Sequence, residues 1–354
     1  MKKTSLAIFA VLLSCFFALG YLVYRVTTKE DSYTKIIFFA DSASYGEDNK
    51  FYNNCWNSVR HFSLKVPVEA YANLEKLSVT KCLEKIMQEK PGLLVFSNED
   101  SQNDGLDELI KANPKTQFVL IDKRHTIDAP NYRYMLIDVQ EASMLAGYVA
   151  AKTTKTNRSG LIGGKDIPAI DAFKYGFMAG IQYGAREMKK NIDFEAAYIG
   201  DFSDEKKGAD LAQRLYIHNC DIIFQVAGQA GLGVIQEAEK EEHWVIGVDE
   251  NQYNLSPKAV LTSVVKDWDL AIFDLINDYL HNNLLPVEKS AVKLNLAGNY
   301  CRLPYINPNI PYEIKKDTDN LADLITSGGI SAPYDQITYD IFLESLVRER
   351  GGIL

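Results

Sequence analysis

The chain has 354 residues, 47% of them hydrophobic and 24% charged, with 47 acidic against 38 basic side chains and a formal net charge of −9. That length exceeds what one hydrophobic core normally supports, so two globular units are expected, and the ordinary composition excludes extended disorder. Without a long basic run or basic–aromatic stripe, a nucleic-acid partner has no electrostatic support.

Lys2 and Lys3 precede an apolar run from Leu6 to Val26 that carries no charge before Arg25. It approaches the ~20 residues needed to cross a bilayer core. Leu12-Leu13-Ser14-Cys15 has the form of a bacterial lipobox, with Cys15 as the lipidated residue. Ala18-Leu19-Gly20 offers a small-residue cleavage site, and an uncut signal anchor is the third reading. Phe16-Phe17 after the cysteine and the length of the run favour the anchor. All three readings expect an extracytoplasmic chain from Thr27 onward, attached to the cell membrane. Excluding Cys15, the four cysteines Cys55, Cys82, Cys220 and Cys301 lack metal-ligand spacing. Cys55 and Cys82 could pair in an exported protein, although isolated buried thiols are the plainer reading.

Beyond the leader, apolar runs alternate with helical periodicity. Strands are expected at 35–40, 66–70, 92–97 and 117–122, with helices at 51–62, 80–89 and 106–113 between them. The pattern restarts with strands at 132–137, 160–163, 194–199, 221–226 and 244–249. Their intervening helices fall at 139–154, 169–189, 204–217 and 232–241, the first with an Ala/Gly-lined face (Ala142, Ala146, Gly147, Ala150). A strand at 260–266, a helix at 270–282 and a strand at 291–296 follow, and residues 342–350 form an amphipathic tail. Strands spaced by helices imply βαβ units with parallel sheets. The expected architecture is α/β, two doubly wound lobes with a ligand cleft between them.

In such sheets ligands sit at the carboxyl ends of the strands. Asp41, Asp122 and Asp249 end strands, Gly200-Asp-Phe202-Ser-Asp204 and Ala227-Gly228-Gln-Ala-Gly231 follow two more, and Lys266 ends another. Several carboxylates there suit a ligand rich in hydroxyl or N–H donors. Phe51 and Phe202 could stack on a flat ring. Against this, an Asp after a strand is as often a helix N-cap, a lone Phe is more often core, and a lone Lys is usually solvated. Gly163-Gly164-Lys165 lacks P-loop spacing, and Gly228-Gln-Ala-Gly231-Leu-Gly233 is not the dinucleotide pattern; close backbone approach to a ligand is the expected use of the latter. No His accompanies a nucleophile motif, which argues against an enzyme.

The run Gly163-Gly-Lys-Asp-Ile-Pro-Ala-Ile-Asp-Ala-Phe-Lys-Tyr-Gly-Phe-Met-Ala-Gly180 resembles a block of the basic membrane protein family, the PnrA-like purine nucleoside receptor lipoproteins that feed ABC importers. Tyr198-Ile-Gly-Asp-Phe-Ser-Asp204, Asp221-Ile-Ile-Phe-Gln-Val-Ala-Gly228, Trp244-Val-Ile-Gly-Val-Asp249-Glu-Asn-Gln252 and Val260-Leu-Thr-Ser-Val-Val-Lys266 fit the same resemblance. It spans roughly residues 36–333. It implies a type I periplasmic-binding-protein fold with the nucleoside base held between two phenylalanines, matched here by Phe51 and Phe202. Asp249 and Lys266 match the ribose-side pair, and Asp41 and Asp122 the first-lobe carboxylates. Where the family shows Asp-Asp-Lys-Ser-Phe-Asn, this chain has Glu47-Asp-Asn-Lys-Phe-Tyr52, with Asn53 one position later.

The resulting expectation is a leader over 1–26, an N-terminal lobe of 34–136 plus about 267–290, a C-terminal lobe of 137–264 plus about 291–330, and a helical tail of 334–354. Asp41, Phe51, Asn53, Asp122, Phe202, Gly228, Asp249 and Lys266 are the candidate ligand-binding residues. The expected protein is a monomeric solute-binding protein working with an ABC permease, with no cofactor, metal or catalytic group. A surface interaction or sensory protein on the same fold is the alternative, with the tail as its contact; a tail helix packed on its own lobe is the simpler reading. A nucleoside-cleaving enzyme ranks behind both.

Overall fold

The computed structural model describes residues 34–41, 50–98, 105–282 and 294–351. They divide into two compact units, one ending at Tyr134 and one beginning at Met135, with Lys50–Ser58 grouped with the second. The leader and Cys15 lie outside the described residues.

The first unit holds a five-stranded sheet. Its strands β1 (Ile36–Ala40), β2 (Val68–Ala72), β3 (Leu93–Phe96), β4 (Gln117–Ile121) and β5 (Tyr132–Met135) lie in the order β2-β1-β3-β4-β5, and β2, β1, β3 and β4 run parallel. Helix α1 (Lys50–His61), most of it grouped with the second unit, falls between β1 and β2 in the chain, and helices α2 (Val79–Ile86) and α3 (Leu106–Ala112) intervene further along. The apolar runs are continuous because β1 and β3 are buried along their whole length. Ile37, Phe39, Leu94 and Phe96 pack with Leu83 and Ile110 from α2 and α3, while Ile36, Phe38 and Val95 on the opposite face are equally buried. The second strand lies two residues later than expected. Pro67 has no N–H to donate and contributes only its carbonyl, to Ile36 N–H at 2.9 Å, and pairing begins at Val68.

At this edge the Lys35 ammonium lies 2.7 Å from Glu69 and 2.6 Å from Glu89, and the Tyr71 hydroxyl donates to both carboxylates. Hydrogen bonds from Lys35 and then Tyr71 hold the Glu69 carboxyl below its ordinary value. A depressed carboxylate stabilises the fold above its unfolded value, and that contribution is lost as pH falls through the folded value. The destabilisation caused by Lys35→Met is therefore expected to be full near neutral pH and to shrink below about pH 4.5, where protonation of Glu69 dissolves the pair in the parent chain too. Solvent screening keeps the effect small, since Glu69 is 41% exposed. Thermal melts of both proteins across that range are the check; a pH-independent difference would contradict it.

The second unit carries β6 (Arg158–Gly163), β7 (Asp193–Tyr198), β8 (Ile222–Val226), β9 (Trp244–Asp249), β10 (Val260–Lys266) and β11 (Cys301–Arg302), ordered β11-β10-β9-β8-β6-β7. Its helices are α4 (Val139–Thr153), α5 (Pro168–Met188), α6 (Glu205–Ile217), α7 (Gly231–Lys240), α8 (Trp268–Leu280), α9 (Tyr312–Thr326) and α10 (Gln336–Gly351). One side of the core joins Ile162, Ile223 and Val245 of the sheet to Leu215 of α6 and Val234 of α7. On α5, the rings of Phe173 and Phe177 meet Phe224 at 6.1 and 5.1 Å. The Ala/Gly face of α4 receives α5 backbone against backbone. A Cβ at Gly180 would fall 1.9 Å from the Met144 carbonyl oxygen, and one at Gly147 2.0 Å from that of Phe177.

One expectation changes in this unit, and the simpler reading of the tail holds. Of the returning strand expected at 291–296, residues 291–293 lie outside the described residues and 294–296 form no strand; the strand that pairs with β10 is Cys301–Arg302, antiparallel to it. Leu294 makes an isolated bridge to Ile137, and the chain then turns through Asn299, in the left-handed region at φ 61°, with Tyr300 N–H bonded to Asn295 O at 3.1 Å. The tail helix begins at Gln336 and packs on its own unit. Tyr339 lies 5.7 Å from Tyr175 of α5, Gln336 accepts from the Tyr175 hydroxyl at 3.0 Å, and Phe342 is buried. Among the described residues no helix is long and apolar enough to cross a membrane.

Candidate functional site

In the second unit, four expected residues lie just past or at the carboxyl ends of strands of the one sheet, three of them on the neighbours β8, β9 and β10 and the fourth after β7, with β6 between β7 and β8. Phe202 follows β7 and Gly228 follows β8, while Asp249 and Lys266 close β9 and β10.

Phe202 is held from three directions while remaining 37% exposed. Asp201 accepts from the N–H groups of Ser203 at 2.7 Å and Asp204 at 2.9 Å, and these bonds hold its carboxyl below the usual range. The Phe202 carbonyl accepts from Ala230 N–H at 2.9 Å. The ring rests against Gly164, where a Cβ would lie 2.2 Å from it. The glycine pair before Lys165 therefore makes room for an aromatic ring, and the Lys165 ammonium stands 5.8 Å from that ring's centre. Asp204 caps α6 by accepting from Lys207 N–H at 2.9 Å, so the last Asp of this motif serves the helix and the first serves the ring.

The Gly228-Gln-Ala-Gly231-Leu-Gly233 pattern divides. Gly228 turns in the left-handed region at φ 57°, with its Cβ position 3.4 Å from that of Phe202. The other two glycines approach protein groups, which corrects the ligand-approach expectation for them. A Cβ at Gly231 would meet the Gln225 amide at 1.9 Å, and one at Gly233 the Glu205 carbonyl at 1.8 Å.

Asp249 adopts φ 65° and Asp122 φ 59°. Backbone held in this sparsely populated region costs about 1 kcal/mol per residue and concentrates at functional sites. Neither residue opens a helix, so the N-cap alternative fails for both. Asp249 is 55% exposed, and its carboxylate stands 4.0 Å from the Lys266 ammonium, which is 11% exposed. The pair presents an acceptor outward with a largely buried cation behind it, and Lys266 also lies 5.8 Å from the Trp268 ring.

A buried amide network that sequence reading gave no role fixes the loop after Asp249. Gln252 Oε1 accepts from Val248 N–H at 3.1 Å and from Gln225 Nε2 at 2.7 Å. Gln252 N–H donates to Ser263 Oγ at 3.0 Å. Strands β8, β9 and β10 are thereby tied to the loop that follows Asp249.

In the first unit, Asp41 directly follows β1 and is buried, accepting from Asn73 Nδ2 at 2.7 Å. Asp122 follows β4 and is exposed. The two strands are separated by β3, or about 10 Å across the sheet. Asn53, on the part of α1 grouped with the second unit, is half-buried. The Phe51 side chain lies outside the described residues. The Cys82 thiol is free and donates to Asn73 Oδ1 at 3.4 Å, so the bridge to Cys55 left open by the sequence is not formed. Burial pushes this thiol up, away from reactivity. Among the described residues no group of His, Cys, Asp and Glu could hold a metal ion.

A family model described as ABC transporter substrate-binding protein PnrA-like matches residues 34–336. Basic membrane protein A of Borreliella afzelii is 34% identical over 242 residues, covering 66% of this chain and 72% of its own. Basic membrane protein B of Borreliella burgdorferi (strain ATCC 35210 / DSM 4680 / CIP 102532 / B31) is 31% identical over 241 residues, covering 67% and 68%. Among solved structures, an ABC transporter system solute-binding protein from Aeropyrum pernix K1 matches with a TM-score of 0.71 at 20% identity, over 89% of this chain and 98% of that one. A transcriptional activator of the comK gene from Bacillus halodurans matches with a TM-score of 0.68 at 16% identity, over 84% and 99%. At these identities the structural matches speak to the fold alone.

Proposed function

The chain belongs to the PnrA-like family of ABC transporter substrate-binding proteins, and on that premise we propose that its ligand is a purine nucleoside. The observation that carries this reading is the Phe202 platform, an aromatic ring half open to solvent and held by Asp201, Gly164 and Ala230. A purine offers a flat π-face to such a ring. Asp249, backed by Lys266, suits ribose hydroxyls, because a carboxylate accepts but does not donate. Asp41, Asp122, Asn53, Phe51 and Gly228 complete the proposed contacts. Ligand binding biases the population of arrangements that the importer's permease recognises. The protein acts outside the cytoplasm, tethered through its leader, as a monomer and without chemistry of its own.

Titration calorimetry with inosine, guanosine and adenosine tests this. Saturable binding of at least one is expected, with the nucleoside recovered intact. Binding of none would overturn the reading, and time-dependent release of free base would make the protein an enzyme instead.

A further inference from the structure

Three neighbouring strands of the first unit, in the order β2-β1-β3, are each followed at once by a buried polar residue. These are Asn73, Asp41 and Ser97, exposed by only 6, 7 and 5%. The backbone ladder continues through them, with Asn73 N–H on Ala40 O at 3.0 Å and Ser97 N–H on Phe39 O at 3.0 Å. Ser97 Oγ accepts from Asp41 N–H at 2.9 Å, and Asn73 Nδ2 donates to Asp41 Oδ1 at 2.7 Å. Asn73 has no capacity left. Its second amide hydrogen goes to Leu77 O at 2.7 Å, and its oxygen accepts from Leu77 N–H at 2.9 Å and the Cys82 thiol at 3.4 Å. This pattern also fixes which way the amide points, since a reversed amide would set its NH2 against the Leu77 N–H.

We propose that Asn73 is the positioning residue for Asp41, aiming that carboxylate at the ligand while touching no ligand itself. The inference rests on the reading of Asp41 as a ligand contact. It assigns Asn73 one effect on binding, exerted through one oxygen of its neighbour.

Asn73→Asp is the diagnostic variant. It replaces the donor with a second carboxylate, and two carboxylates at this spacing cannot both stay ionised. Near neutral pH they repel and Asp41 loses its aim; at lower pH a shared proton restores a donor to Asp41 Oδ1. Among the described residues, Cys82 on α2 faces the pair, its thiol pushed up by burial first and by Asp41 second, and Lys85 and Glu75, paired with each other at 2.9 Å, act on the same thiol.

Inosine titrations should find Asn73→Asp binding about tenfold weaker or worse at pH 7.5 and recovering toward the parent value at about pH 5.5, with the parent nearly flat. A cycle with Asp41→Ala and Asn73→Ala covers the case in which Asn73→Asp does not fold. Asn73→Ala should weaken inosine binding in the parent chain and add nothing in the Asp41→Ala background. Asn73 variants that bind like the parent, while Asp41→Ala binds weakly, would overturn the inference. Asp41→Ala binding like the parent would overturn the reading beneath it.

Discussion

Replacing Phe202 with alanine is expected to weaken purine nucleoside binding about 10- to 100-fold, since stacking a base on an aromatic side chain contributes about 1–3 kcal/mol. The fold should barely notice, because the ring is already 37% exposed, and Phe202→Tyr should bind nearly as the parent does. The platform can also be disturbed without touching it. In Gly164→Ala the new methyl would lie 2.2 Å from the ring, so the ring must leave its seat, and affinity should fall by a similar factor. Calorimetry with paired thermal melts checks all three variants. A Phe202→Ala protein that binds like the parent would remove this ring from the site.

A large loss of stability is expected at Gly180→Ala. The added Cβ would sit 1.9 Å from the Met144 carbonyl oxygen, and the obstacle is helix backbone, which cannot rotate aside as a side chain can. Separating α4 from α5 at this crossing should cost about 3 kcal/mol. For a unit of this size that is a fall of about 6–12 °C in melting temperature. An unchanged melting temperature would mean that the two helices do not approach at Gly180.

Much of the fold was legible because parallel strands buried on both faces leave unbroken apolar runs such as Ile36–Ala40 and Ile222–Val226. Legibility failed where that signal is absent. Edge strand β2 is only half-buried along its length, and β11 is two residues long. The misplacement of β2 had a consequence at the site. Ended at residue 70, the strand leaves Asn73 in a loop; ended at Ala72, it puts Asn73 at the same strand-end position as Asp41. Phe202 could be found by its motif, but Gly164 and Asp201, which hold it, act through contacts that local spacing does not reveal. Gln225 and Gln252 stand 27 residues apart, and nothing in either stretch alone marks them as partners.

A crystal structure with inosine tests the central claim most directly. The purine should lie parallel to the Phe202 ring at stacking distance, with a ribose hydroxyl donating to Asp249. Inosine bound away from Phe202, or bound with that ring turned aside, would contradict the account.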